Sequence, residues 1–221
     1  MAHIAFDLVA PADTLERSVW VVVDVRDFVT RRRVPKLDVR LKDATARPIE
    51  SLSSVYCFTD LDLPAGNYTA QVKPRGQARA HYFDAEAQFA LATVPLAGQP
   101  LQRNLVAVDL LPRPAYPFAG ESTLVRGRLV KTSDRSPIAM ARISMILDTV
   151  DIGRRATTDE RGEFVVSLPP ATPEDTATTV LKDFDVQLRC EIDGEPPFLT
   201  AAAVVRERRT LSLTEIPFPR T

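Results

Sequence analysis

An all-β fold in two tandem units is what this sequence predicts, and three observations carry that expectation. Apolar residues recur at every second position along most of the 221 residues. Turn-forming Asp, Gly, Pro, Asn and Ser separate the alternating runs, and helical periodicity is scarce. A proline-dense stretch, LLPRPAYPFAG (110–120), falls near the middle of the chain. Short strands at this spacing predict a sandwich or barrel. Dense proline favours an extended, semi-rigid connection over a flexible tether.

The first half holds alternating runs at 18–25, 36–43, 67–74, 81–91 and 104–111, and the second at 124–130, 141–148, 162–168, 184–192 and 198–207. In GEFVVSL (162–168), Phe164, Val166 and Leu168 share one face and Glu163, Val165 and Ser167 the other, because successive strand side chains point to opposite sides. Trp20 alternates with Val22 and is expected in the core. Residues 12–19, with Asp13 or Thr14 as N-cap and Glu16 behind it, predict one or two helical turns. Residues 172–184 open like a helix, with Thr172 and Pro173 followed by two acids, but their threonines reduce them to a loop with a short helical turn. The expected boundaries are an N-terminal sandwich over 1–112, a proline-rich linker over 113–117 and a C-terminal sandwich over 118–221.

The halves echo each other. VRLKDATARPIES (39–51) followed by VYCFTDLDLPAGNYTAQV (55–72) has the order of GRLVKTSDRSPIAMARISM (127–145) followed by GEFVVSLPPATPED and FDVQLRC. Each reads strand, polar turn, Arg, Pro-Ile, aromatic strand, Leu-Pro, and the second copy inserts a hairpin after Pro-Ile. Pro48-Ile49 is thereby matched with Pro137-Ile138, and a duplicated architecture is expected.

Composition narrows the function. A net charge of −1 supplies no field that draws the chain to nucleic acid or an anionic membrane. No run reaches the ~18 apolar residues of a membrane span. The N-terminus MAHIAFDLVAPADTLERS lacks a basic lead before an uninterrupted apolar stretch, so no secretory signal is visible and a cytoplasmic chain, or a subunit of a cytoplasmically assembled particle, is expected. Cys57 and Cys190 lie in alternating apolar runs and are expected as buried free thiols, a disulfide between the halves being the alternative. Two cysteines and two histidines, with neither CxxC nor HxH, make no zinc framework.

At VRGRLVKTSDRSPIAMARISMIL and RRATTDERGEFVVSLP the chain resembles the carboxypeptidase regulatory-like domain, a transthyretin-like β-sandwich. The matching residues are Gly127, Leu129, Pro137, Ile138, Ala141, Ile143, Thr157, Thr158, Asp159, Gly162 and Phe164. The family's usual continuation, Leu-Pro-x-Gly-x-Tyr, is missing after Phe164 but stands in the first half as Leu63, Pro64, Gly66 and Tyr68. The resemblance implies two tandem Ig-like or transthyretin-like sandwiches and says little of function, because such modules are attached to very different proteins. The iron-binding histidine pair of intradiol dioxygenases, the Tyr-Arg-Gly-Ser tail of the urate-pathway hydrolases and the His-x-x-Glu of metallocarboxypeptidases do not occur here.

The acidic cluster Asp159, Glu160 and Glu163 is read as a turn rather than a calcium or acid–base site, since a calcium ion needs about six converging oxygens. Asp159, Gly162 and Phe164, with Gly66 and Tyr68, are expected to shape structural turns. RDFVTRRRVPK (26–36) is read as a solvated hairpin loop in which Arg31, Arg32 and Arg33 could contact a partner. His3 and His81 are the only histidines, and His81 is expected at the edge of a solvated loop, opening a strand. No catalytic residue, cofactor site or metal site is assigned. The expected function is a non-catalytic structural or adaptor role toward other proteins, with family analogy allowing a place in a phage-tail-like or secretion particle, and with no nucleic acid and no membrane insertion. A carbohydrate or small-ligand binding module is the alternative, and a cryptic hydrolase using His81 the second.

Overall fold

The alternation is realised almost wholly as strand. The computed structural model describes residues 19–42, 44–59, 63–91, 105–168 and 181–219. They form two compact units: residues up to Arg79 with Phe83–Leu110, and Ala80–Tyr82 with the residues from Leu111 onward.

The first unit contains β1 (Val19–Asp27), β2 (Asp38–Leu41), β3 (Ile49–Glu50), β4 (Val55–Thr59), β5 (Gly66–Lys73), β6 (Ala85–Leu91) and β7 (Leu105–Leu110). These pair as two sheets, β3-β4-β1-β7 and β2-β5-β6. A single helical turn, α1 (Ala78–His81), lies between β5 and β6. The second unit contains β8 (Leu124–Lys131), β9 (Arg142–Leu147), β10 (Val150–Thr157), β11 (Glu163–Ser167), β12 (Asp183–Glu191), β13 (Phe198–Leu199), β14 (Ala203–Arg206) and β15 (Thr210–Phe218). Its sheets are β11-β8-β15 and β10-β9-β12, with β13 and β14 both on the far side of β12. The fold is all-β, with a sandwich in each unit.

Both units follow one strand plan. The first strand pairs antiparallel with an aromatic strand (β1 with β4, β8 with β11) and parallel with the last strand (β1 with β7, β8 with β15). In the second sheet of each, the central strand pairs antiparallel on both sides: β5 with β2 and β6, β12 with β9 and β14. The extra elements are β3 in the first unit and β10 and β13 in the second.

The core of the second unit joins both of its sheets. Val125, Leu129, Phe164, Val166, Ile216 and Phe218 from one meet Ile143, Met145, Val186, Leu188, Cys190 and Val205 from the other. Phe164, Val166 and Leu168 all lie in this core, and Val165 on the opposite face of β11 is buried as well. In the first unit Val21, Val23 and Val25 of β1 are fully buried, whereas Trp20 and Val22 are only half-buried. The expected phase of β1 is therefore reversed: Val21, Val23 and Val25 fill the core, and a register irregularity between Val19 and Val21 falls at Trp20.

Several elements differ from expectation for identifiable reasons. The run 81–91 begins as strand only at Ala85, because α1 occupies His81. The run 198–207 is broken at residues 200–202, where the Thr200 hydroxyl takes over the Leu188 amide. The hairpin expected after Pro137-Ile138 is β9–β10, although β10 shows no alternating run of its own: it carries few apolar residues, and Gly153 at φ 70° lies in a register irregularity between Asp151 and Arg155. β15 was not anticipated, and its Pro217 is tolerated because β15 is an edge strand. The segment 26–36 first folds back on the end of β1 as a short hairpin loop, closed by an antiparallel Arg26–Arg33 bridge, and then crosses to β2 in the other sheet. The helical candidate at 12–19, apart from Val19 in β1, and most of the one at 172–184 lie outside the described residues, as does His3.

Candidate functional site

The turn before β11 is assembled from short-range polar contacts. Asp159 Oδ1 accepts the Arg161 and Glu163 amides, both at 2.9 Å. The Gly162 N–H donates to the Asp159 carbonyl at 2.9 Å, and the Asp159 N–H donates to the Glu163 carbonyl at 2.9 Å. Gly162 has φ 74°, and a Cβ there would stand 2.5 Å from the Leu129 carbonyl oxygen. Glu160 faces outward to Arg113 at 3.4 Å. Its carboxyl is held below the usual range by a backbone hydrogen bond and the Arg113 charge. The three acids thus do not converge. Thr158, fully buried, accepts the Ala141 amide on Oγ1 at 2.9 Å and so ties the turn to the start of β9. The Phe164 ring lies over Gly127, where an added Cβ would meet it at 2.8 Å.

The first unit contains the same turn with different residues. The Ser51 N–H donates to the Val55 carbonyl at 2.8 Å and the Ser54 N–H to the Ser51 carbonyl at 2.9 Å. Ser51 Oγ accepts the Val55 amide at 3.2 Å, in the role of the Asp159 carboxylate. Ser54, at φ 57°, occupies the place of Gly162. The Leu37 amide, the counterpart of Ala141, is satisfied by Tyr56 Oη at 2.8 Å instead of a threonine. Sequence reasoning missed this turn because a Ser-x-x-Ser backbone carries no Asp-x-x-Gly signature.

The arginine loop has a counterpart too. Arg31 and Arg135 are left-handed, at φ 61° and 60°, and each N–H donates four residues back, to the Asp27 and Lys131 carbonyls. The Asp27 and Lys131 amides donate forward to the Arg32 and Ser136 carbonyls, and the Val34 and Ile138 amides to Val25 and Leu129. Pro137-Ile138 therefore corresponds to Arg33-Val34, not to Pro48-Ile49. Arg31 pairs with Asp109 of β7 at 2.8 Å, and Arg135 pairs with Glu215 of β15. Arg33 reaches Asp24 at 2.8 Å, on which Arg26 also converges at 2.6 Å. Burial pushes the Asp24 carboxyl up, but hydrogen bonds from Arg33 and Arg26 and their charges outweigh it and hold it below the usual range. Among the described residues Arg32 has no acidic partner.

Tyr68 Oη donates to the Pro64 carbonyl at 2.8 Å, and its ring packs on Phe89. Gly66 opens β5 without a left-handed φ, and a Cβ there would make ordinary contact with Tyr68. A shallow cleft of about 590 Å³ in the first unit is lined by Lys36, Leu37, Glu50, Arg75 and Gln77, among others. His81 ends α1 rather than opening a strand; its carbonyl accepts the Arg113 amide at 2.7 Å, and its ring meets Tyr82 and Tyr116 edge-on. Tyr116, buried within the proline-rich stretch, meets Phe118 edge-to-face, and Arg126 donates to the Pro114 carbonyl. This stretch is thus packed onto the second unit's own residues rather than merely extended.

Both cysteines are free, Cys57 half-buried and Cys190 buried. Burial pushes the Cys190 thiol up to about 12 and raises Cys57 as well, so neither is an activated thiolate. Among the described residues no group of three or more His, Cys, Asp and Glu is placed to hold a metal ion. No described helix is long and apolar enough to cross a membrane.

No protein-family model matches the chain, and no curated protein does. The resemblance to the carboxypeptidase regulatory-like domain is thus not confirmed. Solved structures match at low likeness. The TIE protein of Bacillus anthracis is 12% identical with a TM-score of 0.28, covering 96% of this chain and 40% of its own length. The shaft pilin SpaA of Lactobacillus rhamnosus GG is 11% identical with a TM-score of 0.27, covering 91% of this chain and 98% of its own. BcpA, the major pilin subunit of Bacillus cereus, is 12% identical with a TM-score of 0.27, covering 90% and 59%. The chain therefore spans less than half of the TIE structure. Likeness at this level assigns no family and no role. The cytoplasmic expectation is corrected and not carried further, since pilin subunits stand among the solved structures the chain is similar to.

Proposed function

We propose that the chain is a non-catalytic structural module that meets other proteins along the open edges of its sheets, with a domain boundary in the proline-rich stretch. One observation carries this reading. Of the exposed large apolar side chains among the described residues, Ile49, Leu105, Val150, Leu199 and Val204 stand on edge strands, namely β3, β7, β10, β13 and β14. An edge strand offers unpaired N–H and C=O groups, and soluble chains ordinarily blunt such edges with charge or proline. Apolar side chains beside an open ladder suit strand addition or side-by-side packing with another protein. In the arginine loop Arg32 is the residue left to serve a contact, since Arg31 and Arg33 are engaged within the unit.

The test is quantitative capture from the source organism's lysate by the full chain and by a Leu199→Lys/Val204→Lys variant. The edge reading expects specific proteins retained by the unaltered chain and lost by the variant, with both chains folded by circular dichroism. Identical capture by the two removes it. The matched structures name no phage-tail or secretion component, so that finer expectation gains no support. The cleft beside Glu50 and Arg75 is where a small ligand would sit, and a thermal shift with a panel of glycans and anions tests the binding alternative.

A further inference from the structure

We propose that each unit is built to carry tension along the polypeptide, through the parallel pairing of its first and last strands. This goes beyond the contact role above and does not depend on it. Among the described residues β1 and β7 are the first and last strands of the first unit and β8 and β15 those of the second, and in each unit the two are hydrogen-bonded neighbours. Val22–Asp27 of β1 pair in register with Leu105–Leu110 of β7. In the second unit Leu124 pairs with Thr210 at one end of the ladder and Lys131 with Phe218 at the other. Tension applied along the chain pulls the first strand by its amino end and the last strand by its carboxyl end. Because the strands are parallel, those are opposite ends of the ladder. The pair is then loaded in shear, and its hydrogen bonds, which run between the strands, share the load together. Pulling both strands from the same end would break the bonds one at a time.

Each ladder is also fastened at the end where force leaves. The Phe28 N–H donates to the Leu110 carbonyl at 3.1 Å. In the matching place the Thr132 N–H and Oγ1 both donate to the Phe218 carbonyl, at 3.3 and 2.7 Å. The left-handed arginine beyond each first strand reaches a carboxylate on the last strand, Arg31 to Asp109 and Arg135 to Glu215, and Arg128 adds a second contact to Glu215 at 3.3 Å. The first strand itself is central in its sheet, and Val21, Val23 and Val25 in one unit and Val125 and Leu129 in the other anchor it in the core. Two units with different side chains thus place the same fastening at the same point, and the backbone joins them in series.

Single-molecule force spectroscopy on the full chain tests the proposal by changing only the direction of pull. One arrangement holds the chain by its two termini. The other holds it through handles on the exposed positions Glu121 and Arg209, which flank the Leu124–Thr210 end of the second unit's ladder and so peel it. Resistance to forced unfolding follows the barrier along the pulled direction. Terminal pulling should give two unfolding events, and the second unit should yield at a force several-fold higher than when it is peeled. Equal or lower force under terminal pulling overturns the proposal. No partner is present in the measurement, so its failure would leave the edge-contact reading untouched.

Discussion

Gly162 is the residue at which backbone and side chain leave least freedom. Its φ of 74° lies in the left-handed region, and a Cβ would collide with the Leu129 carbonyl at 2.5 Å, a backbone atom that cannot swing aside. Gly162→Ala should therefore cost at least about 1–3 kcal/mol, the strain of a non-glycine residue held in that region; an unchanged denaturation midpoint would count against the turn geometry. Asp159 acts through one oxygen that accepts two amides. Asp159→Ala should cost about 1–2 kcal/mol, and Asp159→Asn much less, because the amide oxygen can still accept. Asp24 gives a pH prediction. Its folded pKa lies below that of the unfolded chain, near 3.9, so its contribution is present above about pH 4 and is lost as pH falls through the folded value. Asp24→Asn should be less stable at neutral pH and should show a shallower loss on acidification. Residues of this kind were legible where side-chain type dictates the turn, as with Asp159 and Gly162. They were not legible at Ser51 and Ser54, which build the same hydrogen bonds from a neutral pair without a glycine.

At the scale of elements, period-two patterning located most strands but not their phase or their partners. Trp20 and Val22 read as the inner face of β1, yet Val21, Val23 and Val25 are the buried set, because the unbroken apolar run from 19 to 23 hides the alternation that appears only at Asp24 and Arg26. β15 shows alternation with a proline near its end, a combination allowed only at an edge that the sequence does not announce. Gly127 shows how one residue fixes the packing between strands: opposite Phe164 in the β8–β11 ladder, it leaves room for the ring. Gly127→Ala should cost about 1–3 kcal/mol through overpacking, read as a lower melting temperature with the strand signal retained. A variant as stable as the parent would mean that Phe164 can move aside freely.

At the scale of the whole molecule, the duplication was visible in outline and misread in alignment. The echo was anchored on two Pro-Ile dipeptides, whereas the residues that correspond to Pro137-Ile138 are Arg33-Val34. What repeats is a set of backbone conformations, left-handed at Arg31 and Arg135 and again at Lys36 and Met140, with little shared side-chain identity to mark it. Two units with separate cores should also fail separately. Trp20, the single tryptophan, stands in β1 and reports only on the first unit. Leu188→Asp places a charge in the core of the second, so circular dichroism should lose part of its strand signal while Trp20 emission stays native. A shifted emission would show that the units fold as one. The central claim is that both units close their sheets with a parallel pair of first and last strands, and nuclear Overhauser contacts in solution test it most directly. Cross-strand contacts are expected between Val25 and Val108 and between Gly127 and Leu213, the register of the two ladders. Contacts in an antiparallel register, or none between these strands, would contradict the account.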